Sequence, residues 1–385
     1  MTAEDPFLEL RQVQALLLDI VRNHAAEDYD RQYHSELSPL GWHLGHYVYT
    51  ETYWIQEALL GKTIIPDNEK ALYIPELSVK ADRSAALPGH QELCEWALDT
   101  QSKNLDSLNN ALSETNDSIL MKDNYLLFFL GQHYAQHIET AHYVLAQRQL
   151  QTASSTGVFS ALKPVPAEDK YVDIAAAEHR LGEANPLRHY DNECGDFLVE
   201  LDAFAIAQRP LSNAEFLGFM EDGGYDNRNY WSKEAWAWRE RHQINHPQHW
   251  RLDKEGNWYG NGSSSACALE ANAAVSGISY FEAEAVARWA GASLPHEYQW
   301  EAAKRTGGLK SSGEVWEWCS NSFHPYTGFR AFPYDGYSLP WFDDSHYVLR
   351  GHSVHSLPNI RRDSFRNFYQ PDKRHFPAGL RLTLI

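Results

Sequence analysis

The stretch GQHYAQHIETAHYVL, Gly131 to Leu145, concentrates side chains that can hold a metal. His133 and His137 are four residues apart, so on a helix their rings stack on one face, close enough to grip one ion. Gln136 comes three after His133 and shares that face, whereas Glu139 and His142 fall progressively to its side. Two ligands do not complete a site, so the rest of the chain must supply another.

A second pair lies in WHLGH, where His43 and His46 stand three apart and Gly45 leaves room for a neighbouring element to approach. Three imidazoles converging from two facing helices would leave coordination positions open for water, dioxygen or substrate, as an oxygen-activating iron requires. The same set with one water also makes a catalytic zinc site. The plain alternative for His43 and His46 is packing and local hydrogen bonding inside a helical bundle.

Around these helices the pattern is that of a bundle. Phe7, Leu8, Leu10, Val13, Leu16, Leu17, Ile20 and Val21 recur at helical spacing. Ser38-Pro39 opens a second helix that Gly61 closes, a third runs from about Gly89 to Leu112, and a fourth from Asp117 to Arg148 carries the opening histidines. Four helices with one long connection, Lys62 to Pro88, predict an up-and-down bundle over residues 1–150, with the metal ligands on facing helices.

Residues 151–169 read as a Ser/Ala/Pro-rich linker. Beyond it, over residues 170–385, short alternating runs such as FLVELDAFAIA and many glycines and prolines predict an α+β domain rich in ordered loop, with two helices, Asn213–Glu221 and Phe281–Ala290. The fold class is therefore multidomain, α followed by α+β.

Charge narrows the partners. The chain has 33 basic and 52 acidic residues and a net charge of −19, which disfavours nucleic acid or an anionic membrane surface and favours a small-molecule protein. No apolar run approaches the ~20 residues of a membrane span. The acidic, amphipathic start is unlike a signal peptide, so a cytoplasmic protein is expected. Cys94, Cys194, Cys267 and Cys319 form no CxxC pair and read as reduced thiols. Cys319 is expected to be a small core residue, the acids near Glu51 and Glu282 to be solvated helix faces, and HPQHW at 246–250 to be a loop. The basic groups in RRDSFRN and PDKRH either bind a carboxylate or offset nearby acids.

The C-terminal half resembles the domain of formylglycine-generating enzymes and their sulfatase-modifying-factor relatives, through ISYFEAEAVARWAGASLPHEYQWEAAKR, GEVWEWCSN, YVLRGHSV and RRDSFRNFYQPDKRHFPAGLRL. That resemblance implies a C-type-lectin-like fold. Joined to a DinB-like four-helix bundle carrying His-x3-His-x-Glu, the whole chain resembles the nonheme iron sulfoxide synthases of ergothioneine biosynthesis and their selenoneine-forming relatives. In that family iron(II) and O2 join a sulfur or selenium donor to the imidazole ring of hercynine.

The resemblance implies His46, His133 and His137 as the metal ligands, and Gln136, Asn367 and Phe368 as hercynine contacts. Amides suit a carboxylate or imidazole, and an aromatic face suits a trimethylammonium group. Tyr334, with Tyr337 next, is the implied proton or hydrogen-atom source. Members using γ-glutamylcysteine carry an Asp and an Arg where this chain has Tyr369 and Lys373, and members using free cysteine often carry a Tyr-Tyr pair absent from ALYIPELSVKADRSAALPG. The expected donor is therefore a selenosugar or another thiol. Glu139 is expected to support the ligands or the fold. The competing readings are a zinc-dependent DinB-type thiol transferase and a non-catalytic lectin-like binding protein.

Overall fold

The computed structural model describes residues 5–24, 26–113, 118–152, 157–167, 170–261 and 266–384. It divides into two units, Met1–Gln151 and Thr152–Ile385. No helix among the described residues is long and apolar enough to cross a membrane.

In the first unit α1 (Leu8–Asp19) buries Leu10, Val13, Leu17 and Leu18 and continues through a π-helical turn to His24. Leu8 and Leu16 remain exposed, so the buried stripe is narrower than the apolar spacing alone suggests. Helix α2 (Leu40–Thr52) starts after Pro39 and is buried on nearly every side, which makes it the central element. A π-helical stretch, Tyr53–Leu59, extends it, and Gly61 ends the segment at a φ of +68°. The connection holds two short helices, α3 (Asp67–Tyr73) and α4 (Arg83–Ala86), before α5 (His90–Ser113). Helix α6 (Tyr125–Thr152) begins later than expected, because Asp123 and Asn124 take positive φ values of 51° and 58° that a helix cannot contain. The expected start, Asp117, lies outside the described residues.

A polar knot ties the four long helices together. Glu51 of α2 accepts hydrogen bonds from Gln14 of α1 (2.7 Å), Asn104 of α5 (3.1 Å) and Tyr134 of α6 (2.8 Å), and Gln101 of α5 donates to the Tyr134 hydroxyl (3.0 Å). Glu51 is fully buried, so the expectation of a solvated acidic face is wrong here. A short-range reading cannot see donors that arrive from helices tens of residues away. Burial raises the Glu51 carboxyl, the three donors pull it back, and the result is about 7. A folded value above the ordinary 4.5 means a stabilising contribution present at low pH and lost as pH rises through about 7. At 1.36 kcal/mol per unit this amounts to about 3 kcal/mol. Urea unfolding at pH 5 and pH 8 should therefore show Glu51→Gln gaining on the parent protein by roughly that amount at the higher pH; parallel curves would contradict the assignment.

The described residues of the second unit form four small sheets. Strands β1 (Tyr171–Ile174) and β4 (Phe204–Ala207) pair antiparallel, with β12 (Thr383–Leu384) on the other side of β4. Strands β2 (Ala177–Leu181) and β3 (Phe197–Leu201) form a two-stranded ribbon, and β5 (Trp250–Leu252), β6 (Trp258–Asn261) and β7 (Ala266–Ala268) a small meander. The largest sheet has the order β10-β9-β8-β11, built from β8 (Trp316–Ser322), β9 (Tyr347–Arg350), β10 (Asn367–Tyr369) and β11 (Ala378–Leu380), with β11 parallel to β8. Four helices accompany them: α7 (Asn213–Glu221), α8 (Lys233–His242), α9 (Tyr280–Trp289) and α10 (Glu297–Arg305). The sequence reading expected only α7 and α9. Helix α8 buries only Ala235, and the face that α10 buries carries Glu297 and Glu301 beside Trp300, Ala302 and Ala303, so neither shows a plain apolar stripe.

Residues 157–167, read as linker, pack on this unit. Val165 donates its N–H to the Ala214 carbonyl (3.0 Å), and the Phe159 ring stacks on Tyr259 at 4.7 Å. The core joins Ile174, Phe204, Ile206, Trp300, Ala303, Leu309, Cys319, Phe323 and Val348. Cys319 is buried there, as expected. Through this core run buried ion pairs: Arg350 with Glu301, Arg366 with Glu297 (2.8 Å), Arg381 with Glu317 (2.7 Å) and Arg362 with Glu193. Arg362 and Arg366 of RRDSFRN therefore offset acids. Glu282, also expected to be solvated, is fully buried, capping α9 through Ser279 and accepting from Tyr225 and Arg374.

Candidate metal centre

Helix α2 presents His43 and His46 one turn apart, and α6 presents His133 and His137 one turn apart. The structure brings three of these together: one ring nitrogen from each of His46, His133 and His137 lies within 4.8 Å of the others. Their ring centroids are 5.6 Å (His46–His133), 5.1 Å (His46–His137) and 5.0 Å (His133–His137) apart. An ion sitting ~2.1 Å from each nitrogen would draw them slightly closer. Among the described residues no other group of three histidines, cysteines or acids has this geometry.

Each ring is held by something nearby. His46 meets the Tyr73 carbonyl through Nδ1 at 2.7 Å, which leaves Nε2 for an ion. Tyr73 reaches this position because residue 45 is glycine: a Cβ there would lie 2.1 Å from the tyrosine ring. Trp42 stacks on His46 at 4.8 Å, and its indole N–H is fixed by the Leu72 carbonyl (2.8 Å). The Arg83 guanidinium covers that indole at 3.8 Å and also donates to Ser38 and to the Pro75 and Ser78 carbonyls, tying the α3–α4 connection to the start of α2. The Tyr47 hydroxyl donates to the His133 carbonyl, and its ring lies edge-on to His137 at 4.5 Å.

Electrostatics favour ligation. Burial lowers His46 to about 4 and His133 to about 3, and holds His137 well below its ordinary value. All three imidazoles are therefore neutral near pH 7 and offer lone pairs. The Nδ1 atom of His133 is buried with no hydrogen-bond partner. Neutral imidazoles converging around an orphaned nitrogen fit a divalent transition metal. Ligand type and number accommodate iron and zinc equally.

The remaining candidates are distributed over both units. Gln136 is half-buried on α6, where its backbone carbonyl accepts from the Thr140 hydroxyl. Glu139 is buried on the same helix and outside the metal-holding group. Asn367 and Phe368 sit on β10, the edge strand, opposite Leu349 and Val348 of β9. Phe368 stacks on Phe323 at 4.2 Å, beside Trp341 and His346 at 6.1 Å each. Tyr334 lies in the loop between β8 and β9, 42% exposed, while Tyr337 stacks on Tyr190 at 4.1 Å. His246 and His249 of HPQHW occupy a turn leading into β5, as expected, and belong to no metal-holding group.

Sequence reasoning missed several supports. Tyr73 acts through a backbone carbonyl, which leaves no mark in residue identity. His346 donates Nδ1–H to Asp343 (2.8 Å) next to Phe368; burial would raise Asp343, but hydrogen bonds from His346 and Ser345 pull it down to about 2. The spacing DDSH was its only trace.

Residues 9–141 match the DinB superfamily model, and residues 158–312 and 306–384 match the sulfatase-modifying factor enzyme 1-like domain. The chain is 30% identical to the hercynine oxygenase of Mycobacterium tuberculosis, across 91% of this chain and 92% of that protein. It is 27% identical to the hercynine oxygenase of Mycolicibacterium thermoresistibile, across 92% and 89%. To the mouse formylglycine-generating enzyme it is 29% identical across only 44% of this chain and 48% of the other. Both domains and nearly the full length of the bacterial proteins are thus accounted for, and the chain belongs to the family of hercynine oxygenases, in which a DinB domain is joined to a sulfatase-modifying-factor-like domain.

Proposed function

We propose that this protein performs an iron(II)- and O2-dependent oxidative C–S or C–Se bond formation on the imidazole ring of hercynine. The observation that carries the reading is the cluster of neutral, convergent nitrogens of His46, His133 and His137. Iron(II) held there would supply the activation of dioxygen. Relatives named hercynine oxygenase support the substrate.

The chain's own residues then divide the remaining work. Gln136, one residue before His137, and Asn367 offer amides to the hercynine carboxylate or ring. Phe368, made rigid by its stack on Phe323, offers an aromatic face to the trimethylammonium group. Tyr334 carries its hydroxyl on an exposed loop and is the proposed proton source. Holding the reacting ring in place supplies much of the rate.

The proposed donor is something other than γ-glutamylcysteine. Tyr369 and Lys373 stand where the resembling enzymes that use it carry an Asp and an Arg; here Tyr369 stacks on Phe376 at 4.0 Å and Lys373 lies 3.4 Å from Asp372. A selenosugar or another thiol is the proposed donor. Incubating iron-loaded protein with hercynine, O2 and each donor in turn, with products read by mass spectrometry, is expected to give a hercynine–donor adduct with a selenosugar or a small thiol and little with γ-glutamylcysteine. Absence of any hercynine-derived product with every donor would remove the reading.

A further inference from the structure

The triad has a buried neighbour whose role the family likeness leaves open. His43 is only 4% exposed, its Nδ1 lies 3.0 Å from Nδ1 of His137, and its Nε2 is buried without a hydrogen-bond partner. Two imidazole nitrogens bond at that distance only when one carries the hydrogen and the other offers a lone pair. With Nδ1 of His137 engaged by His43, the nitrogen left to ligate is Nε2. A neutral ring ligating through Nε2 carries its hydrogen on Nδ1, so His137 donates and His43 accepts. The same arrangement holds His46, whose Nδ1 meets the Tyr73 carbonyl. In one case the acceptor is a backbone oxygen, in the other a side chain from the facing helix.

We propose that His43 is a positioning residue, which accepts the Nδ1–H of His137 and so fixes the ring and tautomer that present Nε2 to the metal. The proposal rests on the triad being a metal site. It makes α2 contribute twice, through His46 as a ligand and through His43 as the group that orients a ligand on α6.

Asparagine places Oδ1 close to where His43 places Nδ1, whereas leucine fills the space without an acceptor. Cobalt(II) or zinc(II) affinity, measured by chelator competition, should fall about 10–100-fold in His43→Leu, the usual range for losing an outer partner of a ligating histidine. It should be largely restored in His43→Asn. Equal losses in both variants, or wild-type affinity in His43→Leu, would overturn the assignment. Long-range 15N spectra of the zinc-loaded parent protein give an independent reading, and should show His137 protonated at Nδ1 and metallated at Nε2. Metallation at Nδ1, or His43 as a fourth ligand, would overturn it as well. Parent protein that takes up no divalent metal would remove the triad reading and this inference together; the other outcomes leave that reading intact.

Discussion

His137→Ala is expected to lose divalent-metal affinity by at least ~100-fold, beyond the range observed when only an outer partner of a ligand is removed, and to lose hercynine turnover with it. Its helical content should be unchanged. The reason for separating these outcomes lies in where His137 sits. It shares the site with two other neutral imidazoles and is half-buried, so its side chain contributes a lone pair more than it contributes packing. Alanine is also a good helix former, and α6 continues through the position. Metal content after anaerobic reconstitution, alongside far-ultraviolet circular dichroism, checks the pair. Parent-like metal uptake by the variant would show that the cluster is a packing arrangement.

The second large effect is expected far from the metal. Arg381 is fully buried and donates to both oxygens of Glu317 (2.7 and 2.8 Å) and to the carbonyls of Ala207 and Ser311. Arg381→Met leaves Glu317 buried and charged with the Trp300 indole N–H, at 2.7 Å, as its remaining side-chain donor among the described residues. Removing one partner of such a pair costs about 3–5 kcal/mol, whereas replacing both partners by uncharged groups is often close to neutral. Denaturant unfolding at pH 7 should therefore show Arg381→Met losing about that amount, and Arg381→Met/Glu317→Leu recovering most of it. A single-variant loss under about 1 kcal/mol would place the pair among weak, solvent-screened bridges.

How much of this was legible beforehand depends on the range of the interaction. Helical periodicity located α1, because a stripe of leucines and valines records which face is buried, while the start at Ser38-Pro39 and the stop at Gly61 bounded the segment of α2. The spacing of His133 and His137 put two of the three nitrogens on one face, since helix geometry converts sequence spacing into a shared face, and the family resemblance picked His46 from WHLGH as the third. Family likeness supplied the lectin-like second domain.

What stayed hidden was tertiary pairing. Glu51 and Glu282 look like surface acids in sequence, and become core residues only because Gln14, Asn104 and Tyr134, or Tyr225 and Arg374, arrive from distant segments. The basic residues of RRDSFRN faced two fates, and Glu193 and Glu297 decided between them. Tyr73 orients His46 with a carbonyl, so no residue type could have announced it. Helices α8 and α10 lack a plain apolar stripe, because α8 buries only Ala235 and the buried face of α10 includes Glu297 and Glu301.

The measurement that bears most directly on the central claim is the mass of the product formed from hercynine by iron-loaded protein in the presence of O2 and a selenosugar or small thiol. The account predicts a hercynine–donor adduct with the parent protein and none with His137→Ala. An unchanged hercynine mass with every donor, from parent protein carrying a full complement of iron, would contradict it.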